Sequence, residues 1–381
     1  MPDFTVPLLA FAAFVLGLHL LSALLTAYRV LKRPKTPPPR WTQDPVSLLR
    51  PVCGLDPNDE ATLLSTFRLD PHPALDVYFC AARERDDAVP LVRRLMTAHP
   101  HIRASLLIGD DRPTANPKLN NLVKGWNLST GNWVIMADSN VDLPNDYVAG
   151  LIAAFDAGTG LVCSPPIGSS PSGIAAEIEC AFLNTYQARW QLAADTLGFG
   201  FAQGKTMLWR RELLDRAGGI EALGRDAAED AAATKIVREA GLRVRVVDRP
   251  YAQPLGRRRF ADIWNRQVRW ARLRRATFPA LFLPEILAGS LLPMLAVAVG
   301  AAEGGLHPLA AVLAFASLWY ATEAALAAIA GWHFSWVSPL ALVVRDLMLP
   351  VIWFEGLSGN GFTWRGHDMS ATQTLPQTPG R

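Results

Sequence analysis

The chain has 381 residues, 50% of them hydrophobic and 19% charged, with 37 basic against 34 acidic side chains for a formal net charge of +3. That length allows two or three domains and a large core, and the composition argues against a disordered or fibrous chain. The small net charge argues against a general nucleic-acid binder, and the cysteines (Cys53, Cys80, Cys163, Cys180) form neither a disulfide framework nor a C-x-x-C zinc site, which points to a reducing compartment.

In chain order, the first feature is an apolar run from Thr5 to Tyr28 whose only titratable side chains are His19 and the terminal tyrosine. About 20 apolar residues cross a bilayer as a helix, so residues 1–28 are expected to hold a transmembrane helix. The run is too long, and its Met-Pro-Asp start too acidic, for a signal peptide. A basic, proline-rich linker follows over 29–43, with Arg29, Lys32, Arg33, Lys35 and Arg40 and Pro34 and Pro37 to Pro39. By the positive-inside rule it lies in the cytoplasm.

Residues 44–255 alternate β-rich runs with helical patterns. Strands are predicted at Val46–Val52, Leu75–Ala81, Ala104–Ile108, Trp133–Ala137, Gly160–Ser164, Thr206–Trp209 and Leu242–Val247. Helices are predicted at Pro90–Ala98, Leu119–Leu128, Asp146–Phe155 and Ile174–Asp195. The alternation implies βαβ units and a mostly parallel sheet, in which ligands bind beyond the carboxyl ends of the strands. Polar residues just after a strand are therefore the candidates: Asp86 and Asp87, Asp138 in ADSNVD, and Glu229-Asp230 at the start of a helical pattern. Asp86 or Asp87 could equally cap a helix, and Asp230 could simply favour a helix N-terminus. Asp138 ends a five-residue apolar strand, where a carboxylate needs a cation or hydrogen bonds. GFGFAQGK at 198–205 lacks the P-loop spacing and reads as a flexible loop over the site.

Residues 256–280 read as a basic amphipathic interfacial helix, with eight arginines against one acid between Gly256 and Arg275 and an R-x-x-R-W motif at Arg266, Arg269 and Trp270. About three membrane segments are expected over 281–356: Ile286–Ala302, Leu306–Trp332 with Glu323, and Trp336–Phe354 with Arg345 and Asp346. The last two charges either pair in the bundle interior or mark a shallow re-entrant segment. Residues 357–381 are a tail.

The DD pair, the DSN and AED triplets and R-x-x-R-W ahead of membrane helices, together with RPVCGLDPN near residue 50 and NPKLNNLVKGW at 116–126, resemble the ceramide glucosyltransferases over nearly the whole chain. The resemblance is to a bacterial member. It implies an α/β, Rossmann-like GT-A catalytic domain carrying one N-terminal and about three C-terminal membrane helices. It implies an inverting transfer of a hexose, glucose first, from a UDP-sugar to a lipid acceptor, ceramide before diacylglycerol or a hopanoid. Asp86 (or Asp87) would hold the uridine, Asp138 with Asn140 beside it a Mg²⁺ or Mn²⁺ ion, and Lys118 would lie near the diphosphate. Asp230 would be the general base, and Arg266, Arg269 and Trp270 would engage the diphosphate. Tyr186 stands where some animal members carry a histidine. The enzyme would sit in the membrane, in bacteria the inner one, with its catalytic domain facing the cytoplasm and no nucleic-acid partner. A processive polysaccharide synthase fits less well, and a non-enzymatic scaffold for nucleotide sugars or lipid headgroups would need no base at Asp230.

Overall fold

A computed structural model describes residues 4–32, 44–364 and 367–371. Most of the basic linker, including Arg33, Lys35, Arg40 and its prolines, and the end of the tail lie outside the described residues. The chain forms two compact units: as far as they are described, one holds 44–167, 197–256 and 360–371, the other 4–32, 168–196 and 257–359. The units do not follow the continuous stretch 44–255, because 168–196 belongs with the helices of the second.

The first unit is built on a seven-stranded sheet. Its strands are β1 (Val46–Val52), β2 (Leu75–Ala81), β3 (Ala104–Ile108), β4 (Trp133–Ala137) and β5 (Thr159–Cys163). After β6 (Ile167–Ser172) come β7 (Thr206–Arg210) and β8 (Arg243–Val246). The sheet order is β3-β2-β1-β4-β7-β5-β8, with only β7 antiparallel to its neighbours. β1, β4 and β5 are almost wholly buried, as expected for strands covered on both faces, and they are mostly apolar for that reason, β4 without a break. One core packs Leu48, Val77, Phe79 and Ile135 of the sheet against Val89 and Val92 of the Ala88–Ala98 helix and Tyr147 and Leu151 of the Tyr147–Ala153 helix. β9 (Ala252–Arg257) and the antiparallel pair β10 (Gly361–Trp364) and β11 (His367–Ser370) complete the strands.

The second unit is helical. Thr5–Lys32 and Pro308–Ala330 are each long and apolar enough to cross a membrane, and Pro279–Leu287 with Leu291–Glu303 would add one span if the pair, bent by 45°, is a single crossing. Of the three expected C-terminal segments, the third forms the Ser338–Leu357 helix, which carries Arg345, Asp346 and Glu355 and is not among those long and apolar enough to cross. Its two central charges are paired rather than shallow: Arg345 donates to Glu323 at 2.8 and 2.9 Å and to Asp346 at 2.9 Å, all three buried. Thr185 donates to Glu323, and Arg189 to Ser22. In an apolar surround each such charge requires its partner, which fixes these helices against one another.

The predicted Ile174–Asp195 helix is interrupted. Ile174–Ala181 and Arg189–Thr196 flank a π-helical stretch at Phe182–Ala188, which contains the buried Tyr186. The Phe260–Thr277 helix differs from a bare interfacial helix. Its Ile263, Val268 and Ala271 pack in a core with Ala341, Leu342 and Ile352, so protein covers the apolar side assigned to lipid, while Phe260 stays exposed.

Candidate active site

Strands β1, β2 and β4 are parallel, so the loops after β2 and β4 leave the same edge of the sheet. β7 runs the other way, so the residues just before it arrive at that edge. The register pairs Ala137 with Thr206, which sets Lys205 opposite Asp138, and the Asp138 amide donates to the Lys205 carbonyl at 3.0 Å.

Asp138 is the hub. Its two carboxylate oxygens meet Lys118 Nζ at 2.7 Å and Lys205 Nζ at 2.9 Å. Lys118 also donates to Glu229 Oε1 at 2.8 Å and to the Gly204 carbonyl at 2.6 Å, and Lys205 donates to Asn140 Oδ1 at 3.0 Å. Lys118 is delivered by the Pro117–Leu128 helix. There Asn116 caps the first turn, accepting from the Lys118 and Leu119 amides, and Pro117 takes the first helical position. The Asn116 amide nitrogen donates to Glu229 Oε2 at 3.0 Å, tying that cap to the start of the Glu229–Glu239 helix. The next residue, Asp230, accepts from the Gly204 amide at 3.2 Å, so the predicted Glu229-Asp230 pair splits, one acid on Lys118 and one on the backbone before β7.

The charges dictate the protonation. Burial disfavours the Asp138 anion, but Lys118 and Lys205 outweigh it and hold the carboxyl well below the usual carboxylate range. Burial likewise works against the Lys118 ammonium, yet Asp138 and Glu229 push its pKa up. At Asp230 the pull of Lys118 and of the Gly204 amide is outweighed. Burial, then the neighbouring Glu229 carboxylate, push it up to about 6. Two acids at one edge therefore have opposite tendencies, the arrangement that separates an ion-binding carboxylate from a proton acceptor.

A Cβ at Gly204 would sit 2.7 Å from Glu229 Oε1, so any side chain there must push that carboxylate aside. Gly204→Ala should displace Glu229 from Lys118 and lower kcat/KM by roughly 10²-fold, with the thermal transition little moved; steady-state kinetics beside circular-dichroism melting reads both. The segment 198–205, expected to be flexible, is pinned: Ala202 N donates to Thr234 Oγ1 at 2.9 Å, and Gly204 N to Asp230.

Asp86 lies two strands from β4 along the edge. Its Oδ1 accepts from the Gly54 and Ala88 amides, both at 2.9 Å, joining the loop after β1 to the start of the Ala88–Ala98 helix. Asp86 thus does the capping, and Asp87 is exposed. Sequence reasoning assigned no role to Arg50 or Lys205 and named Glu229 only together with Asp230. Arg50 is wholly buried in β1 and donates to the carbonyls of Asp138, Ser139 and Val141, each at 3.0 Å. The signal was an arginine inside the apolar strand VSLLRPV.

Arg266, Arg269 and Trp270 belong to the helical unit, on the Phe260–Thr277 helix. The Arg266 guanidinium lies 5.9 Å from the Trp270 ring centroid and forms an ion pair with Glu179. The neighbouring Gln267 accepts from Gln187 at 3.1 Å.

Among the described residues no cluster of three or more His, Cys, Asp or Glu side chains could hold a metal on its own. Asp138 and Asn140 are hard oxygen donors, few in number, the set expected where a nucleotide's phosphates supply the other ligands to Mg²⁺ or Mn²⁺. By donor chemistry these residues fit such a shared ion, which would take the place of the Lys118 and Lys205 ammonium groups that hold these oxygens here.

The sheet order, its one reversed strand and the acidic edge define a GT-A glycosyltransferase fold. A mannosyltransferase from Pyrobaculum calidifontis, solved with GDP-Man and Mn²⁺, has the same fold at a TM-score of 0.53 and 21% identity, covering 89% of this chain and 99% of that one. The chain belongs to glycosyl transferase family 21, whose model matches residues 10–374. Ceramide glucosyltransferase 1 of Caenorhabditis elegans is 27% identical over 279 residues, 73% of this chain and 59% of that protein. Ceramide glucosyltransferase 3 of the same organism is 27% identical over 244 residues, 64% of this chain and 53% of its own length. The chain thus spans little more than half of these relatives.

Proposed function

We propose that the chain is a membrane glycosyltransferase moving a hexose, glucose first, from a UDP-sugar to the primary hydroxyl of ceramide with inversion, giving a β-glycosylceramide. The observation that carries this reading is the meeting of Asp138, Lys118, Glu229 and Asp230 around Gly204 and Lys205 at the carboxyl edge of the sheet. The names of the C. elegans relatives support the donor and acceptor.

A primary alcohol is a poor nucleophile. Asp230, ionised above about pH 6, takes its proton as the oxygen bonds to the anomeric carbon and the bond to UDP breaks, help worth about 10²–10⁴-fold in rate. Lys118 and Lys205 hold positive charge beside Asp138, where a departing diphosphate needs it. A divalent cation held by Asp138 with Asn140, when bound, adds Lewis-acid charge neutralisation to that leaving group. The family motif assigns the uridine to Asp86, with Asp87 as the alternative, and diphosphate contacts to Arg266, Arg269 and Trp270. UDP-sugars are cytosolic, and Arg29 and Lys32 close the first apolar helix with positive charge, which supports a catalytic unit on the cytoplasmic side of a bacterial inner membrane.

Purified protein given UDP-glucose should release UDP only when ceramide is supplied in mixed micelles. Release driven by diacylglycerol and not by ceramide would move the acceptor to glycerolipids, and release indifferent to any lipid would reject the transferase reading.

A further inference from the structure

We infer that Glu179 is a positioning residue that fixes the guanidinium of Arg266 ahead of donor binding; this rests on the proposed role of Arg266 at the diphosphate. Glu179 sits on the Ile174–Ala181 helix with its side chain 1% exposed, ion-paired through Oε1 to Arg266 and 3.4 Å through Oε2 from Arg258 Nε. A carboxylate so deeply buried must be neutralised by cations, and here they come from one element. Arg258 stands just before the Phe260–Thr277 helix and Arg266 in its second turn, so one carboxylate fixes both the entry and the roll of that helix.

The other acid of the segment, Glu177, is engaged differently. It accepts from Ser335 at 2.8 Å and Ser338 at 3.1 Å and lies 3.0 Å from His333 Nε2, at the start of the Ser338–Leu357 helix. Glu179 is thus the acid of this segment committed to the arginine motif. An arginine carries considerable rotamer freedom. Held by Glu179, with the Trp270 ring centroid 5.9 Å away, it has already lost much of that freedom before an anion arrives, which lowers the cost of binding.

The test is calorimetric titration of UDP, with magnesium present, into the full-length protein in detergent. Glu179→Gln should weaken UDP about tenfold while kcat at saturating donor stays within about threefold, the split expected of lost preorganisation in binding. Glu179→Asp, which keeps the charge one methylene further back, should weaken UDP about threefold and is the arm that stands if the neutral variant does not fold. Added to Arg266→Ala, the Gln substitution should cost nothing more. UDP binding unchanged in both Glu179 variants while Arg266→Ala weakens it would overturn the inference alone. Unchanged binding in Arg266→Ala would overturn it together with the assigned role of Arg266.

Discussion

Asp230→Asn is expected to lower kcat by about 10²–10⁴-fold and to leave UDP affinity within about twofold. The amide keeps the shape and can still face the Gly204 backbone, but it cannot take a proton from the acceptor hydroxyl. Steady-state kinetics with calorimetric UDP titration separates the two effects, and transfer persisting near the parent rate would remove Asp230 from the chemistry. The same residue sets the pH profile. Because burial and Glu229 raise its pKa, the base is ionised only above about pH 6. The rate should therefore climb as pH rises to about 6 and level off beyond it. Glu229→Gln removes one of the two causes, so its acidic limb should move to lower pH even as the loss of the Lys118 contact lowers the plateau. An unshifted limb would show that another group titrates there.

Arg50→Met should be the most destabilising single change in the sheet unit. The wholly buried guanidinium donates to the carbonyls of Asp138, Ser139 and Val141 and, on its other side, to that of Thr62. Hydrogen bonds from a charged donor are worth about 1.5–3 kcal/mol each, so their loss is expected to cost more than about 3 kcal/mol and to lower the melting temperature by roughly 10 °C. Because the same bonds hold the turn that carries Asp138, UDP affinity should fall as well. A variant that melts like the parent would mean that this turn is held by other contacts.

The sheet was largely legible. β1 to β4 coincide with the runs read from sequence, because each is a short, mainly apolar run between polar turns, most completely so in the wholly buried β4. β6 and β9 escaped because IGSSPS and AQPLGR have neither apolar alternation nor β-branched enrichment. Asp138 was visible as a charge at the end of an apolar strand, and Lys118 through its motif. Lys205 was not, since its contact with Asp138 depends on β7 running antiparallel to β4, a pairing that no local pattern encodes. Glu179 was hidden for a similar reason. In sequence it is one of two acids among alanines and isoleucines, and only its two arginines, many residues later, explain its burial. The alternatives left open for Arg345 and Asp346 are resolved by Glu323, which pairs with Arg345 from another helix.

The most direct measurement is the structure of the lipid product. Protein reconstituted with ceramide, diacylglycerol and UDP-glucose should yield a hexosylceramide by mass spectrometry, with a β-anomeric linkage by proton NMR. A product with the α-linkage, or UDP-glucose consumed with no glycosylated lipid formed, would contradict an Asp230-assisted inverting transfer to a membrane alcohol.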